Sequence, residues 1–531
     1  MDSHMKPNIV FAFADDWGRY ASAYATHEGP RSLSALIDTP HFDRVAREGA
    51  LFLNGFVPAP SCTPCRSSIL SGQYFWQTGL GAILSGAVWD ESIPTYPLEL
   101  EDRAGYFIGY QYKVWSPGRA TNAPIGGRRT RYQPAGYEFN QFSHWVTANA
   151  AELGIDGAKE VLYDETRQNF RAFLDACPDN KPFCYWWGPA NTHRTWERRS
   201  GKALWGIDPD ALEGHLPDFL PDVHEIREDV ADYLGECLAV DRGIGILLEE
   251  LAHEGVLENT LFVVSGDHGI PGIPRAKCNL YDIGCEVALA ARWPGHIKPG
   301  RVIEDLVNLM DLAPTFCEAG GIEPPASMTA TSIMSLLESD RTGQIDASRD
   351  FVVTGRERHV HSARDGYLPY PQRALRTDDF IYIVNFEPDR WPMGDPAGLD
   401  NPSAPAPAYD QLTSDTLLVY ADLDASPTKA WMIHHREEHE VEPLFELAFG
   451  KRPREELYDL NNDPHYMQNV ADDPAYANIR ESMEERLLAV LREQDDPRLT
   501  EQPCRYEMEP YAGPLLDFQK PPLGPGRSIF S

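Results

Sequence analysis

The chain has 531 residues, with 47 Lys and Arg against 81 Asp and Glu, for a net charge of −34. That balance excludes a nucleic-acid binder, which needs cations to displace the counterions of phosphates, and it argues against docking on an anionic membrane. Apolar and aromatic fractions of 42% and 11% exclude a disordered chain. At ~150 residues per domain the length suggests two to four domains. An anionic substrate therefore has to be met by a local cluster of cations.

No run approaches ~18 uninterrupted apolar residues, so no membrane helix is expected. MDSHM reads as a tag remnant before a start at Met5. A strand-like segment follows at once, which leaves no room for a signal peptide. A cytoplasmic protein is expected, or a periplasmic one if a leader has been removed. Nine scattered cysteines, an odd count, favour reduced thiols over a disulfide framework.

In chain order, Asn8–Ala14 (NIVFAFA) is a continuous apolar run, read as a buried central strand with Asp15-Asp16 at its carboxyl end. Thr39-Pro40 opens a helix through Phe42, Val45 and Ala46, with Pro in the first turn. Helices are predicted over 160–176 and 224–254, and strands over 183–187, 261–265 and 287–292. This alternation predicts a mixed α/β domain, 6–375, with a largely parallel sheet. Ligands of such sheets sit beyond the carboxyl ends of strands, where Asp15-Asp16 and Gly266-Asp267-His268 fall. A smaller α+β unit is expected over 376–500, with FIYIVNF as an exposed antiparallel strand and a helix near 475–493. The Pro-rich end, 501–531, reads as an extended arm over its own surface or a neighbouring subunit's, so a homo-oligomer (dimer or tetramer) is expected.

The most specific stretch is SCTPCRSSILSG at 61–72. Pro64 suits a first helical turn and places Cys62 at the N-terminal lip. Free amides and the helix dipole there lower a thiol's pKa and hold an anion. Arg66 stands one turn in. By spacing alone Cys62 is a nucleophile, half of a Cys62/Cys65 redox dithiol, or a buried structural residue.

CTPCRSSILSG resembles the signature of the formylglycine-dependent sulfatases, Cys-x-Pro-x-Arg followed by Leu-x-Gly. NIVFAFADDWG, TPHFDRVAREGALFLNGF, GDHGIP with KCNLYDIG and ARWPG, DLAPTFCEAGGI and ELYDLNNDPHYMQNVADDP look like the family's other hallmarks, in its order. HLPDFLPD, GDHGIP with NLY, and WMIHHREE look most like the heparan N-sulfatase (sulfamidase) branch. The resemblance implies an alkaline-phosphatase-like fold. It implies that a maturation enzyme converts Cys62 to formylglycine. It also implies a divalent cation held by Asp15, Asp16, Asp267 and His268, with the residue 62 oxygen completing the shell. Many sulfatases have Asn at the position of His268, so Mn²⁺ becomes a competitor to the expected Ca²⁺.

Further roles follow from the same resemblance. Lys113 matches a lysine that clamps sulfate, while Trp115 stands where a histidine is expected, either in the substrate site or in the core. His193 in PANTHR matches the general acid, with Arg194 beside it expected to bind substrate. Lys277 matches the lysine that contacts sulfate and leaving group. With Arg66 these supply the cation cluster that the global acidity requires. His359 and His361 lie in a segment that lines sulfatase pockets, and Trp186 and Trp187 either stack on a ring or fill the core. The implied reaction is hydrolysis of a small sulfate ester or sulfamate. Its rivals are a phosphonate monoester or phosphodiester hydrolase of the same fold, an unmatured homologue that only binds, and a thiol–disulfide protein.

Overall fold

The computed structural model describes residues 6–401 and 403–516. Its strands, in chain order, are β1 (Asn8–Ala14), β2 (Ala50–Phe52), β3 (Gly55–Phe56), β4 (Phe107–Tyr112), β5 (Phe183–Gly188), β6 (Thr260–Gly266), β7 (Leu289–Arg292), β8 (Arg301–Ile303), β9 (Val307–Asn308), β10 (Val352–Arg356), β11 (Gln372–Arg376), β12 (Phe380–Asn385) and β13 (Glu455–Asp459). Seven of them form a central sheet in the order β4-β5-β1-β6-β7-β2-β8. β4, β5, β1 and β6 are mutually parallel, and β7 runs antiparallel to both of its neighbours. The architecture is the expected α/β one.

β1 is apolar from Ile9 to Ala14 because both of its faces are covered, as parallel sheets require. Phe11 and Phe13 pack on Trp186 on one face. Val10 and Ala12 belong to the cluster of the other face, with Trp187 and Ile244. That second face is covered by the helices Ile155–Ala176 and His224–His253. Trp186 and Trp187 are both 0% exposed. They fill the core and stack on no ligand.

The helix Cys62–Ser71 is buried at every position. Two of its serines bond back to its own carbonyls: Ser67 Oγ donates to Thr63 O at 2.8 Å and Ser71 Oγ to Ser67 O at 2.7 Å. Such a helix crosses the core with no solvent face. Gly72, at φ 63, ends it in the left-handed conformation that suits glycine.

A second, antiparallel sheet runs β10-β11-β12-β13. It starts at Val352, ahead of the boundary expected near 375. FIYIVNF, expected as an exposed strand, is instead β12, paired on both sides and buried over Ile381–Asn385 in all five positions. Its unbroken Ile-Tyr-Ile-Val run is the pattern of a strand covered on both faces. The helix Ala477–Glu493 lies against this sheet and buries Met483, Leu487 and Leu491. The core of this sheet is continuous with that of the Phe11 face.

Residues 1–5 and 517–531 lie outside the described residues, and with them half of the predicted arm. Its described part lies on its own chain: Tyr506 Oη donates to Trp76 O at 3.3 Å and Gly513 N to Gly86 O at 2.9 Å. Among the described residues no helix is long and apolar enough to cross a membrane.

Candidate active site

Four adjacent parallel strands each deliver chemistry just past their carboxyl ends. β4 is followed by Lys113, β5 by the loop carrying His193, β1 by Asp15-Asp16, and β6 by Asp267-His268. The backbone is shaped for this. Asp16 adopts φ 53, and a Cβ on Gly266 would stand 1.8 Å from the carbonyl oxygen of Trp17, so glycine alone lets the two strand ends meet. The Asp16 amide donates to Asp267 Oδ1 at 2.7 Å, joining residues 251 apart in sequence.

The helix lip brings Cys62 onto this point. Its Sγ lies 3.3 Å from His268 Nε2 and 3.8 Å from Asp16 Oδ1. His268 Nε2 is 3.2 Å from Asp16 Oδ1 and 3.5 Å from Asp267 Oδ1. Three buried carboxylates, an imidazole and residue 62 thus converge, with donor atoms in two overlapping sets each within 4.8 Å. Like charges are not gathered out of water without a compensating cation. A hard-oxygen set with one nitrogen fits a divalent metal.

Cations surround the set. Arg66 donates to Asp267 Oδ2 (2.8 Å) and Asp15 Oδ1 (3.1 Å), and also to the carbonyls of Lys113 and Val114. Lys113 Nζ reaches Asp15 Oδ2 at 2.7 Å. Lys277 Nζ reaches Asp16 Oδ2 at 3.0 Å and Asp424 Oδ2 at 3.2 Å. Burial pushes Asp15 up, but Lys113 and Arg66 outweigh it and hold the carboxyl well below its usual range. For Asp267 burial wins and the pKa rises.

The expected low pKa of Cys62 is not found. Burial, then Asp15, push the thiol well up, and burial does the same to Cys65. A thiol that holds its proton is a poor redox partner and a poor nucleophile.

The site opens on a cavity of about 530 Å³ lined by Asp15, Cys62, Lys113, His193, Lys277 and His359 among others. His193 Nδ1 donates to Arg194 O at 2.6 Å, which leaves Nε2 free, 4.0 Å from Asp16 Oδ2. His359 Nδ1 pairs with Ser61 Oγ at 2.8 Å, and burial with Lys277 nearby pushes its pKa down to about 3, so the ring is neutral.

Two expected substrate residues take other roles. Arg194 touches the cavity, but its guanidinium is committed to Asp229 (2.8 and 2.9 Å) and to Pro271 O, over the Trp196 ring. It clamps the His193 loop to the His224–His253 helix. Trp115 is not among the residues lining the cavity. It is 8% exposed, donates to Ser67 Oγ at 2.8 Å and meets Trp89 edge-on. Its indole needs a buried acceptor, and the Cys62–Ser71 helix offers one. His361 lies outside this cavity.

Sequence reasoning missed Asp424, Thr416, Leu417 and Leu516, all of which line the cavity from the C-terminal third. They sit in aperiodic Pro/Asp-rich loops that carry no pattern from which a site is read.

The family profile described as Sulfatase matches residues 7–322. N-sulphoglucosamine sulphohydrolase of Homo sapiens is 27% identical over 520 residues, covering 92% of this chain and 91% of that protein. A solved structure in complex with its substrate D-glucosamine-2-N,6-O-disulfate aligns with a TM-score of 0.60 at 18% identity, over 94% of this chain and 100% of that one. The phosphonate monoester hydrolase of Agrobacterium radiobacter aligns with a TM-score of 0.59 at 17% identity, over 92% and 96% of the two chains. At such identities both speak for the fold. The family profile spans more than half of the sequence and takes in residue 62, Asp15-Asp16 and Asp267-His268: the chain belongs to the sulfatase family and is a sulfuric ester hydrolase.

Proposed function

We propose that this sulfatase removes sulfate from a small sugar sulfate ester or sulfamate, with residue 62 matured to formylglycine by a dedicated enzyme and Ca²⁺ as the metal. The observation that carries this reading is the crossing of charge in one cavity. Lys113, Lys277 and His193 line it beside residue 62, directly over the converging carboxylates. An anion of sulfuryl size meets cations there, although the chain as a whole repels it. The sugar is favoured by the resemblance to N-sulphoglucosamine sulphohydrolase across most of both chains.

When present, formylglycine supplies a hydrate hydroxyl as nucleophile, and the cation held by Asp15, Asp16, Asp267 and His268 supplies Lewis-acid stabilisation of the sulfuryl group. The chain's own residues do the rest. Lys113 and Lys277 donate to the non-bridging oxygens and offset the charge that develops there. Arg66, bonded to both Asp15 and Asp267, keeps these carboxylates in place. The bond from His193 Nδ1 to Arg194 O orients the ring, so that Nε2 delivers the proton to the leaving oxygen or nitrogen. His359, bonded to Ser61, steadies the residue before the nucleophile.

The nitrogen donor of His268 and the shared fold give a phosphonate monoester hydrolase as the second reading. Turnover of an aryl sulfate and the matching aryl phosphonate by the matured enzyme separates the two. A higher kcat/KM for the sulfate is expected, and a preference for the phosphonate overturns the proposal.

A further inference from the structure

The loop 416–424 lines the catalytic cavity with Thr416, Leu417 and Asp424. Asp424 pairs with Lys277 at 3.2 Å, and Lys277 pairs with Asp16 at 3.0 Å. Held between two carboxylates, the Lys277 ammonium has one N–H left to offer the sulfuryl group. Two residues before Asp424, Asp422 accepts from Arg364 (2.7 Å) and from the Val360 amide (2.8 Å). It thereby fixes the segment that brings His359 and Val360 to the same cavity. Residues 422–424 thus set two parts of the cavity wall.

The loop has no regular structure of its own to keep it in shape. Tyr420 stands in it at φ 44, a left-handed backbone that a ring-bearing residue holds only where its surroundings impose it. Two of its amides, those of Tyr420 and Asp422, donate to Asp395 O and Met393 O, each at 3.0 Å. Three of its carbonyls converge on one side chain, that of Lys429. Lys429 Nζ donates to Leu423 O at 2.8 Å, to Tyr420 O at 3.2 Å and to Thr416 O at 3.4 Å. These are the residue before Asp424, the strained residue, and a residue of the cavity wall.

The lysine is itself anchored. It lies in the first turn of the helix Pro427–His435, where Ser426 Oγ accepts from the Lys429 amide at 2.8 Å. The same hydroxyl donates to Gly272 O at 2.7 Å, in the segment between Asp267-His268 and Lys277. Lys429 is 0% exposed, and burial pushes its pKa from 10.5 down to about 7. Keeping an amino group inside is costly, and an apolar chain of like length packs there without that cost.

We infer that Lys429 is a positioning residue of the reaction: by gathering the carbonyls of Thr416, Tyr420 and Leu423 it sets Asp424, and through Asp424 the ammonium of Lys277. The inference rests on the role proposed for Lys277 at the sulfuryl group and extends it to a residue that touches no substrate.

The test is a double-substitution cycle in the matured enzyme, with Lys429→Met, Asp424→Ala and both together. Its substrate is the aryl sulfate, or the aryl phosphonate if that is turned over better. Lys429→Met should lower kcat ~10²-fold, the effect of misplacing a group by ~1 Å. KM should change far less, because Lys277 acts on charge that develops in the transition state, and the unfolding midpoint should stay near wild type. The double variant should be no slower than Asp424→Ala alone, since the lysine then has nothing left to position. Lys429→Gln, which still donates, should be slowed less than Lys429→Met. Losses that multiply in the double variant, an unchanged kcat, or a change confined to KM overturn the inference. If Lys429→Met does not fold, the cycle is read with Lys429→Gln by the same criteria. If neither folds, the lysine serves the fold alone and the inference is overturned as well. Lys277→Ala keeps the two levels apart. A wild-type kcat in Lys277→Ala is a failure of the proposed role of Lys277, whereas a slow Lys277→Ala with multiplying losses in the cycle is a failure of this inference alone.

Discussion

Two buried clusters of ions in this protein look alike by residue type and differ in arrangement. In the first, under the antiparallel sheet, Arg373 donates to Asp496 (2.6 and 3.1 Å) and Glu357 (2.8 Å), and Arg498 donates to Glu357 from the other side (3.0 Å). Guanidiniums alternate with carboxylates, and the alternation continues from Arg498 to Glu507 and on to Arg390. Burial pushes Glu357 up, but Arg498 and Arg373 outweigh it and lower its pKa. In the second, the carboxylates of Asp16 and Asp267 crowd one imidazole at 3.2 and 3.5 Å. Two carboxyls of this cluster are driven apart in acidity, Asp15 down and Asp267 up. An alternating, closed cluster serves the fold. A cluster whose carboxylates and imidazole converge on one another beside a cavity has the donor set of a metal site, and that asymmetry marks the chemistry.

Substitutions that separate function from stability sharpen this contrast. The largest effect is expected at the converging cluster: Cys62→Ala should abolish sulfate release while circular dichroism and the unfolding midpoint stay near wild type. In the parent protein the tryptic peptide carrying residue 62 should weigh ~18 Da less than its Cys form, as expected when a thiol is replaced by an aldehyde. Full activity with an unmodified thiol would break the comparison outright. His193→Ala comes next. It should slow substrates with basic leaving groups by ~10²–10⁴-fold and activated aryl sulfates far less, because only the former need the proton. Parallel lines of kcat/KM against leaving-group pKa would reduce His193 to a binder of sulfate. At the alternating cluster the expectation reverses. Glu357→Gln leaves two buried guanidiniums short of charge and should cost about 3–5 kcal/mol in chemical denaturation. Protein that remains folded should keep its kcat. A loss of kcat without loss of stability would show that this cluster, too, serves the reaction.

How much of this is legible in the sequence depends on distance along the chain. Asp15-Asp16 and Asp267-His268 are readable because each follows an apolar run, and buried parallel strands place whatever follows them at the ligand edge. That β4, β5, β1 and β6 are neighbours, which brings Lys113 and His193 to the same edge, is carried by the family resemblance and not by periodicity. Long-range pairing is out of reach. Nothing in PANTHR announces that Arg194 is bound to Asp229, 35 residues on. Nothing around Trp115 reveals a buried serine acceptor on another helix. The thiol of Cys62 is misjudged for a related reason: a helix terminus is a local feature, whereas burial and the proximity of Asp15 are tertiary, and here they win. Asp424 comes from a loop without periodicity and becomes visible only through Lys277.

Glu236 tests where the line between the two kinds of carboxylate runs, since it belongs to neither cluster. It is 2% exposed and has no cationic partner among the described residues; its oxygens accept from the Ser143 amide (3.3 Å) and Asn191 Nδ2 (2.9 Å). Asn191 lies in the loop that carries His193, so this carboxyl supports the site without entering it. Burial raises its pKa from 4.5 to about 7, the hydrogen bonds from Ser143 and Asn191 only partly opposing the rise. The folded state therefore binds the proton more tightly than the unfolded one. Its contribution to stability is complete below about pH 4.5, declines as the pH rises, and is lost above about 7. A tenfold change in proton affinity is worth ~1.4 kcal/mol, so the loss amounts to at most about 3 kcal/mol. Glu236→Gln imitates the protonated form, so the variant should match the wild type at pH 5 and be the more stable of the two at pH 8. Denaturation at both pH values, read as the difference between variant and wild type, cancels the other groups that titrate in this range. A difference that stays constant from pH 5 to 8 would mean that Glu236 is ionised in the folded protein throughout. It would then stand with the charged carboxylates, and its hydrogen bonds from Ser143 and Asn191 would hold its charge as the arginines hold that of Glu357.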